Sequence, residues 1–259
     1  MLSKSNRASK SLQENALTLY YLFHSCFCAA TSNLLMVFDY PSSEVLGLKR
    51  HLVNSVLAEV SEGREVIVFF SHSHGDHYGK EFAEALSHAA EIVAVASEDV
   101  IEKDGAFLER VCTSIIAARP HATYRLRHVV VETLRSTDLG VAYIVRVGQT
   151  VLYHSGDLAR WVWPDFPDEL KAAIDSLFRR ELERLAKHRV DVAMAVAEPR
   201  LPGWGGLDLL LENVKPRFLV PAHLWGKADL SALLAEQFQS KYPYTQIVTY
   251  SREGEKILG

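Results

Sequence analysis

The sequence predicts a mixed α/β (α+β) fold, in one domain with two sheets and helices on the outside. Three observations support this prediction. The first half of the chain alternates buried-strand patterns with amphipathic helical patterns, which is typical of α/β proteins. The middle contains short strand patterns joined by tight turns, as in an antiparallel meander. The last third returns to alternating strands and helices, and no low-complexity linker divides the chain, so the domain is expected over residues 15–259.

The first half begins with two apolar, aromatic-rich strand patterns, LTLYYLFHSCFCAA and NLLMVFDY, and the second ends at Asp39. Apolar residues at helical spacing then predict a helix in SEVLGLKRHLVNSVLAEVSE, with Ser43 as its N-cap. The run EVIVFF is typical of a fully buried strand and leads directly into HSHGDH. A second helix is predicted in GKEFAEALSHAA, followed by a buried strand in EIVAVA.

The second half opens with three strand patterns, ATYRLRHVVVETLRS, VAYIVRVG and TVLYHSG. The clearest helical pattern spans residues 168–188, where the apolar residues form one stripe and charged residues occupy the other face. The remaining segments predict, in order, a strand in VDVAMAVA, a helix in GLDLLLENV, a strand in RFLVPAH, a helix in ADLSALLAEQF and a strand in QIVTY.

Composition excludes several classes of protein. The formal net charge of −4 lacks the basic excess that is typical of nucleic-acid binding, so a nucleic-acid partner is not expected. No run of 18 apolar residues is present, so no membrane-spanning helix is expected. Residues 1–14 are polar and predict a disordered tail rather than a secretory signal. Cys26 and Cys28 lie in an apolar strand pattern and are expected to be buried thiols, which fits a reducing, cytoplasmic setting.

The segment FFSHSHGDHYGKE contains a dense group of metal-binding residue types. Side chains alternate along an extended chain, so His72 and His74 are expected to point the same way and to share one ion. Gly75 permits a sharp turn, after which Asp76 and His77 are expected at the start of the next helix, facing a second ion. Imidazole and carboxylate groups suit zinc, manganese or iron. The sequence therefore predicts one or two divalent metal ions, with zinc favoured and manganese or iron as alternatives.

The motif HSHGDH after a buried strand resembles the signature of the metallo-β-lactamase fold superfamily, and the resemblance extends over nearly the whole chain from about Leu17. It implies a four-layer αββα sandwich, two internal pseudo-repeats and a mono- or dinuclear metal site between the sheet edges. The opening LYYLFHSCF also resembles the small ascorbate-phosphate-lactonase-like branch, in which a strand bearing His-Ser opens the domain.

Three further positions match the superfamily pattern. Asp39, which closes LLMVFDY, matches an aspartate that orients the metal ligands without binding the metal. Asp157 in VLYHSGD matches the metal-bridging carboxylate, and His223 in RFLVPAH matches a histidine ligand. The implied ligands form two groups that share Asp157: His72 and His74 in the first, and Asp76, His77 and His223 in the second.

One implied ligand has no counterpart. The superfamily usually supplies a third histidine to the first ion from a loop, whereas the corresponding loop LRSTDLGVAY contains no histidine. Asp138 is the best substitute, and a water held by Thr137 or Ser136 is the alternative. A carboxylate there would shift the preference of the first ion from zinc toward manganese or iron. Of the other histidines, His154 is expected in the core or beside the ligands, and His24 either beside the ligands, in the pocket, or packed within its strand.

The substrate pocket is expected where the tryptophans cluster near strand ends. The four tryptophans are Trp161, Trp163, Trp204 and Trp225, and they form either a pocket wall or core packing. The same loops carry the basic residues Arg160, Arg200 and Lys227. Such cations suit a substrate carboxylate or phosphate, although solvated surface charge is the alternative. Glu198 is expected to anchor the loop that carries Arg200.

A metal pair lowers the pKa of a bridging water, and Asp76 is placed to orient that water or accept its proton. The favoured function is therefore a metal-dependent hydrolase of a small, anionic ester, lactone or phosphate-containing substrate. The alternatives are a phosphodiesterase or nuclease of the same fold, an oxygen-reducing diiron protein, and a non-catalytic metal-binding relative. The diiron role normally needs a flavin partner domain, for which 259 residues leave no room. The expected partner is a small molecule, no membrane partner is expected, and a homo-oligomer is left open.

Overall fold

The computed structural model describes residues 17–259, so the predicted tail at residues 1–14 lies outside the described residues. The chain forms two seven-stranded sheets. The first contains β1 (Thr18–Phe23), β2 (Cys26–Ala30), β3 (Leu34–Phe38), β4 (Glu65–Phe70), β5 (Glu91–Ser97), β6 (Ser114–Ala118) and β14 (Glu255–Leu258). The second contains β7 (Thr123–Arg125), β8 (Val129–Arg135), β9 (Val141–Val147), β10 (Thr150–His154), β11 (Val192–Val196), β12 (Phe218–Ala222) and β13 (Gln246–Ile247).

The two sheets repeat one strand arrangement. In the first sheet, β1 to β3 are antiparallel and β3 to β6 are parallel, with β14 added at the edge beside β1. In the second sheet, β8 to β10 are antiparallel and β10 to β13 are parallel, with β7 added beside β8. β3 and β10 therefore occupy equivalent positions, and each is followed closely by an aspartate, Asp39 and Asp157 respectively.

The strand β4 shows why its sequence is continuously apolar. Ile67 and Phe69 pack in the core that contains residues of both sheets, whereas Val66, Val68 and Phe70 pack in a second core on the opposite face. A strand that is covered on both faces has no polar side, which the run EVIVFF reflects. Cys26 and Cys28 lie in the second core as free, fully buried thiols, as the sequence predicted.

Helices cover the outer face of each sheet. Those against the first sheet are α1 (Ser43–Leu46), a 3₁₀ turn (Gly47–Lys49), α2 (Arg50–Ser61), α3 (Phe82–Ala85) and α4 (Glu98–Val111). Those against the second sheet are α5 (Asp168–Leu185), α6 (Gly203–Asn213) and α7 (Leu230–Phe238). The predicted fold class, with two sheets and helices outside, is therefore confirmed. Within residues 17–259 no helix has the length and apolar character needed to cross a bilayer.

Several local predictions were wrong. The helix predicted from Ser43 is interrupted at Gly47, where φ is +52°, and its N-cap is Ser42, whose Oγ accepts the N–H of Val45. Ser43 instead donates a 2.6 Å hydrogen bond to Glu81. Asp76 and His77 precede the next helix rather than start it, because α3 begins only at Phe82. The helix predicted over residues 168–188 ends at Leu185. The strands β6 and β14 and the helix α4 had not been predicted.

Candidate metal centre

The histidine cluster lies directly after β4, where the loops that follow β3, β8, β10 and β12 converge. Two of these loops pack against Ser71. A Cβ on Gly140 would lie 1.9 Å from the carbonyl oxygen of Ser71, and a Cβ on Gly156 would lie 2.6 Å from its Cβ. Both glycines also have positive φ angles, of +66° and +49°. These close approaches bring Asp138 and Asp157 to the cluster, because Asp138 lies two residues before Gly140 and Asp157 directly follows Gly156.

A first group of donor atoms consists of His72 Nε2, His74 Nδ1 and Asp138 Oδ2. The two imidazole nitrogens are 3.1 Å apart. Asp138 Oδ2 lies 3.3 Å from His74 Nδ1 and 3.9 Å from His72 Nε2. His72 is fully buried, whereas the side chains of His74 and Asp138 are partly open to solvent. We call these three residues the first half-site.

A second group contains Asp76, His77 and His223, which we call the second half-site. Asp76 Oδ2 lies 3.3 Å from His77 Nε2 and 3.9 Å from His223 Nε2. The side chain of His77 is fully buried, and those of Asp76 and His223 are 16% and 11% exposed. The nearby His24 also points a ring nitrogen at Asp76 Oδ2, at a distance of 3.1 Å.

Asp157 lies between the two half-sites and presents one carboxylate oxygen to each. Its Oδ2 is 3.8 Å from His72 Nε2 in the first half-site. Its Oδ1 is 3.2 Å from His77 Nε2 and 3.7 Å from His223 Nε2 in the second. The structure thus brings Asp157 between the two groups of histidines, and its role as a metal-bridging ligand stays a prediction.

Asp39 orients histidines of both half-sites through hydrogen bonds. Its Oδ2 accepts from His77 Nδ1 at 2.7 Å, which leaves His77 Nε2 facing the site. The same oxygen accepts from the hydroxyl of Ser71 at 2.6 Å. Because that hydroxyl proton is used, Ser71 Oγ accepts from His72 Nδ1 at 2.9 Å, and the lone pair of His72 lies on Nε2. The structure thus gives Asp39 the orienting position that the sequence predicted.

The arrangement of the donor atoms favours a bound cation over hydrogen bonds among the donors themselves. His77 Nε2 and Asp157 Oδ1 are buried and have no hydrogen-bond partner among residues 17–259, although they face each other. Three carboxylates, Asp76, Asp138 and Asp157, converge on the cluster. Asp76 and Asp157 are largely buried, and buried charge of one sign is costly unless a cation compensates it. Imidazoles and carboxylates in these numbers suit zinc, manganese or iron.

The ionisation of the buried groups supports this assignment. Burial disfavours protonated His77, but the carboxylates of Asp157 and Asp39 outweigh it and raise the pKa of His77 well above its ordinary value. Without a metal, a proton on Nε2 can therefore act as the compensating cation. Burial lowers the pKa values of His72 and His223 and so favours their neutral imidazoles. Burial opposes ionisation of Asp76 and Asp157, but nearby histidines hold both pKa values well below the ordinary value.

His154 does not offer a donor atom to the site. Its Nε2 donates to the carbonyl of Ser25 at 2.8 Å, and its Nδ1 accepts the N–H of Gly156 at 3.2 Å. Both ring nitrogens are therefore occupied by backbone groups. This agrees with the sequence-based expectation of a core or supporting position.

Aromatic side chains flank the second half-site. The ring centres of Trp161 and Trp225 lie 5.4 and 5.9 Å from that of His223. Trp161 donates its indole N–H to the carbonyl of Asp157 at 2.9 Å, and Trp163 stacks beside it at 6.4 Å. A cleft of about 430 Å³ opens here, lined by Ala197, Glu198, Pro199, Arg200, His223, Leu224, Trp225, Lys227 and Leu230.

Two arginines near the cleft, Arg200 and Arg160, are held by carboxylates of the chain. Arg200 stacks on Trp163 at 4.9 Å and makes two hydrogen bonds of 2.7 Å to the carboxylate of Glu198, which also accepts the backbone N–H of Arg200. Glu198 thus anchors this loop, as the sequence predicted. Arg160 is paired with Asp175, so its guanidinium is not free for a substrate anion.

Trp204 lies away from the cluster. It is 6% exposed in the core, donates its indole N–H to Gln237 at 2.9 Å and packs edge-to-face with Phe238. Its proposed place in the pocket wall was therefore wrong, because the left-handed turn at residues 204–206 directs it toward α7. Of the four tryptophans, Trp161 and Trp225 lie beside the site, Trp163 stacks behind Trp161, and Trp204 fills the core.

Sequence reasoning missed Ser71 and the glycines that pack against it. Ser71 lies within the motif but matches no metal-binding residue type, so its role emerges only from its bonds to Asp39 and His72. Gly140 ends the loop of Asp138 and follows Leu139 in a turn-like segment. That glycine was the available signal, since a tight loop beside a strand end often requires a close backbone approach.

The comparisons with known proteins show the fold alone. No protein-family model matches the chain, and no curated protein matches it. Among solved structures, Igni18, a metallo hydrolase from Ignicoccus hospitalis, aligns with a TM-score of 0.62 and 16% identity over 94% of this chain and 98% of its own. The metallo-β-lactamase fold protein YhfI from Bacillus subtilis aligns with a TM-score of 0.63 and 13% identity over 94% and 99%.

A third structure is CmlA, a diiron β-hydroxylase from Streptomyces venezuelae. It aligns with a TM-score of 0.57 and 14% identity over 87% of this chain and 51% of its own. Chains with the same fold thus include a metallo hydrolase and a diiron hydroxylase, so fold similarity does not determine the reaction. The strand order, the layers and these alignments establish that the chain has the metallo-β-lactamase fold.

Proposed function

We propose that this protein is a hydrolase that uses divalent metal ions held by the two half-sites. His72, His74 and Asp138 are the proposed ligands of the first ion, and Asp76, His77 and His223 those of the second. Asp157 is proposed as the shared ligand. The observation that carries the proposal is the placement of Asp157, whose two oxygens face imidazoles of different half-sites at 3.8 and 3.2 Å.

The chain itself contributes orientation and charge. Bound divalent ions would supply a water of lowered pKa and would stabilise the negative charge that develops on the substrate. Asp39 holds the imidazoles of His72 and His77 with their Nε2 atoms toward the site. Asp76 keeps its negative charge and is proposed to orient the attacking water or to accept its proton.

Zinc remains the favoured ion, with manganese or iron as alternatives. Asp138 places a carboxylate beside two imidazoles in the first half-site, which makes that set of donors more anionic than three imidazoles. Hard carboxylate ligands favour manganese or iron relative to zinc. We therefore propose that the first half-site discriminates less strongly in favour of zinc than a site of three imidazoles would.

The proposed substrate is a small ester or lactone that carries an anionic group. Trp161 and Trp225 provide apolar surface beside His223. Arg200 is already paired with Glu198, so Lys227, which lines the same cleft, is the cation proposed to meet the substrate anion. The His-Ser pair at residues 24 and 25 supports a lactone in particular, through the resemblance to the ascorbate-phosphate-lactonase-like branch.

The test combines metal analysis with a panel of lactone, thioester and phosphodiester substrates. We expect up to two divalent ions per chain and hydrolysis of at least one substrate. Replacing Asp157 with alanine should lower kcat by about a hundredfold or more, because one donor is removed from each half-site. The phosphodiester tests the phosphodiesterase alternative. A folded wild-type protein that binds no divalent ion, with Asp76→Ala indistinguishable from it, would contradict the proposal.

A further inference from the structure

His24 has a strained backbone conformation, and such a conformation indicates that its side chain has a specific role. It lies in the turn between β1 and β2 with φ of +55°, and it is fully buried. A left-handed conformation costs a non-glycine residue roughly 1–2 kcal/mol. Such strain is retained mainly where a specific side chain is needed. The contacts of the imidazole show what this residue does.

The backbone of His24 is held on both sides. Its N–H donates to the hydroxyl oxygen of Tyr21 at 3.2 Å, and its carbonyl accepts the N–H of His223 at 3.2 Å. The imidazole also packs against Trp225, with ring centres 4.3 Å apart. The ring is therefore fixed between the turn and the loop that carries His223 and Trp225.

The position of the imidazole proton follows from the bond to Trp225. The backbone N–H of Trp225 donates to His24 Nδ1 at 3.1 Å. A backbone N–H can only donate, so Nδ1 must carry the lone pair and the proton must lie on Nε2. That Nε2–H points at Asp76 Oδ2, 3.1 Å away. His24 is thus a hydrogen-bond donor to Asp76 and has no lone pair there for a metal ion.

We propose that His24 is a positioning residue that ties the backbone of Trp225 to the carboxylate of Asp76 and holds Asp76 toward the second half-site. The inference rests on the proposed function of that half-site. Asp76 Oδ2 lies between His24 Nε2 at 3.1 Å and His77 Nε2 at 3.3 Å, so the bond from His24 fixes the rotation of the carboxylate. Asp76 is not part of the first half-site, so the effect is confined to the second.

Three substitutions separate this role from packing and from metal ligation. In His24→Gln the amide oxygen can accept from Trp225 and the amide nitrogen can donate to Asp76, so both bonds are retained. In His24→Asn the oxygen can still accept from Trp225, but the shorter amide does not reach Asp76. In His24→Phe the aromatic packing against Trp225 remains and both bonds are lost. Wild type and all three variants would be compared for folding by circular dichroism.

Stepwise Zn²⁺ affinities measured by competition with a chromophoric chelator provide the first readout, and the visible spectrum of the Co²⁺ protein provides the second. We expect His24→Asn and His24→Phe to weaken one binding step about 10- to 100-fold while the other step is unchanged. His24→Gln should remain within about threefold of wild type, following the same reasoning. On a substrate that wild type hydrolyses, the kcat of His24→Asn and His24→Phe should fall together with the affinity of the weakened binding step, while KM changes little.

Two results would overturn the inference. If His24→Phe matched wild type while His24→Gln was impaired, the imidazole would serve only to pack against Trp225. If all three variants lost one ion and the Co²⁺ spectrum showed a lower coordination number, His24 would be a metal ligand. Both results leave the proposed hydrolase intact, because wild type would still bind metal and turn over substrate. If wild type itself bound no metal and hydrolysed no substrate, that result would instead contradict the proposed function.

Discussion

Asp39 Oδ2 accepts a 2.7 Å hydrogen bond from His77 Nδ1, and both side chains are fully buried. The same carboxylate accepts the backbone N–H and the hydroxyl of Ser71, at 2.7 and 2.6 Å. All three bonds require an acceptor, which an ionised carboxylate provides at both oxygens. One residue therefore determines which nitrogen of His77 faces the site.

Replacing Asp39 with asparagine tests this dependence. The amide nitrogen cannot accept, so at least one of the three donors loses its partner. We expect the free energy of unfolding to fall by about 3 kcal/mol, in the range for breaking a buried charged pair. The affinity for one Zn²⁺ ion should fall about 10- to 100-fold. Urea unfolding and chelator competition measure the two effects.

A suitable control is Asp168→Asn, which makes the same chemical change at an exposed position at the start of α5. It should leave metal affinity unchanged. Retention of wild-type stability and Zn²⁺ affinity by Asp39→Asn would show that Asp39 does not orient His77.

The Asp39–His77 pair also predicts a pH dependence of stability in the metal-free protein. Despite burial, the histidines around Asp39 lower its pKa, so its contribution is complete above the ordinary aspartate pKa of about 4 and is lost as pH falls. The pKa of His77 is raised, so its contribution is complete below the ordinary histidine pKa of about 6.5 and is lost as pH rises. We therefore expect these contributions to be greatest between about pH 4 and 6.5. Urea unfolding across this range with a chelator present, compared with Asp39→Asn, measures the effect, and identical pH profiles would refute it.

Asp138 as a ligand in place of the usual third histidine stays a prediction that metal binding can test. Asp138→Ala should weaken one metal-binding step by about tenfold or more and leave the other unchanged. Asp138→His should bind Zn²⁺ more tightly relative to Mn²⁺ than wild type does, because imidazole favours zinc. Asp165→Ala, which removes an exposed aspartate, is the control. Unchanged metal stoichiometry and affinities in Asp138→Ala would exclude a ligand role.

Gly140 is expected to be essential for the placement of Asp138. An added Cβ would lie 1.9 Å from Ser71 O, and φ is +66°. Gly63 has the same φ of +66° but no atom within 4 Å of an added Cβ, so Gly63→Ala isolates the cost of backbone strain. We expect Gly63→Ala to cost roughly 1 kcal/mol and Gly140→Ala about 3 kcal/mol. Chemical unfolding compares the two, and equal costs would show that the close approach is unimportant.

Divalent metal should stabilise the folded protein. At a free Zn²⁺ concentration about a hundred times the dissociation constant, binding adds about 2.7 kcal/mol to the free energy of unfolding. For a chain of this size that corresponds to an increase in Tm of roughly 5–10 °C over the chelator-treated protein. Asp157→Asn should show a much smaller increase, since Asp157 faces both half-sites. An equal Tm with Zn²⁺ and with chelator would contradict metal binding by the native state.

The sequence by itself determined the fold class and the identity of most residues at the site. The continuous apolar run of β4 and the helical periodicity of α5 are local properties of the chain, so they can be recognised without knowledge of the tertiary structure. The spacing of His72, His74 and His77 is also local. Asp157 and His223 were identified because VLYHSGD and RFLVPAH resemble segments of the superfamily pattern, each of which joins an apolar strand to a metal ligand.

Tertiary structure alone decided which distant loops reach the site. Asp138 approaches His74 because Gly140 lets its loop pack against Ser71, a contact between residues about seventy positions apart that no local pattern specifies. The same limitation explains Trp204, whose sequence context resembles that of the other tryptophans but whose left-handed turn places it in the core. The role of Ser71, the proton position on His24 and the pairing of β14 with β1 likewise depend on contacts between remote segments. Local periodicity determines the elements, whereas the packing of the two sheets determines which side chains meet.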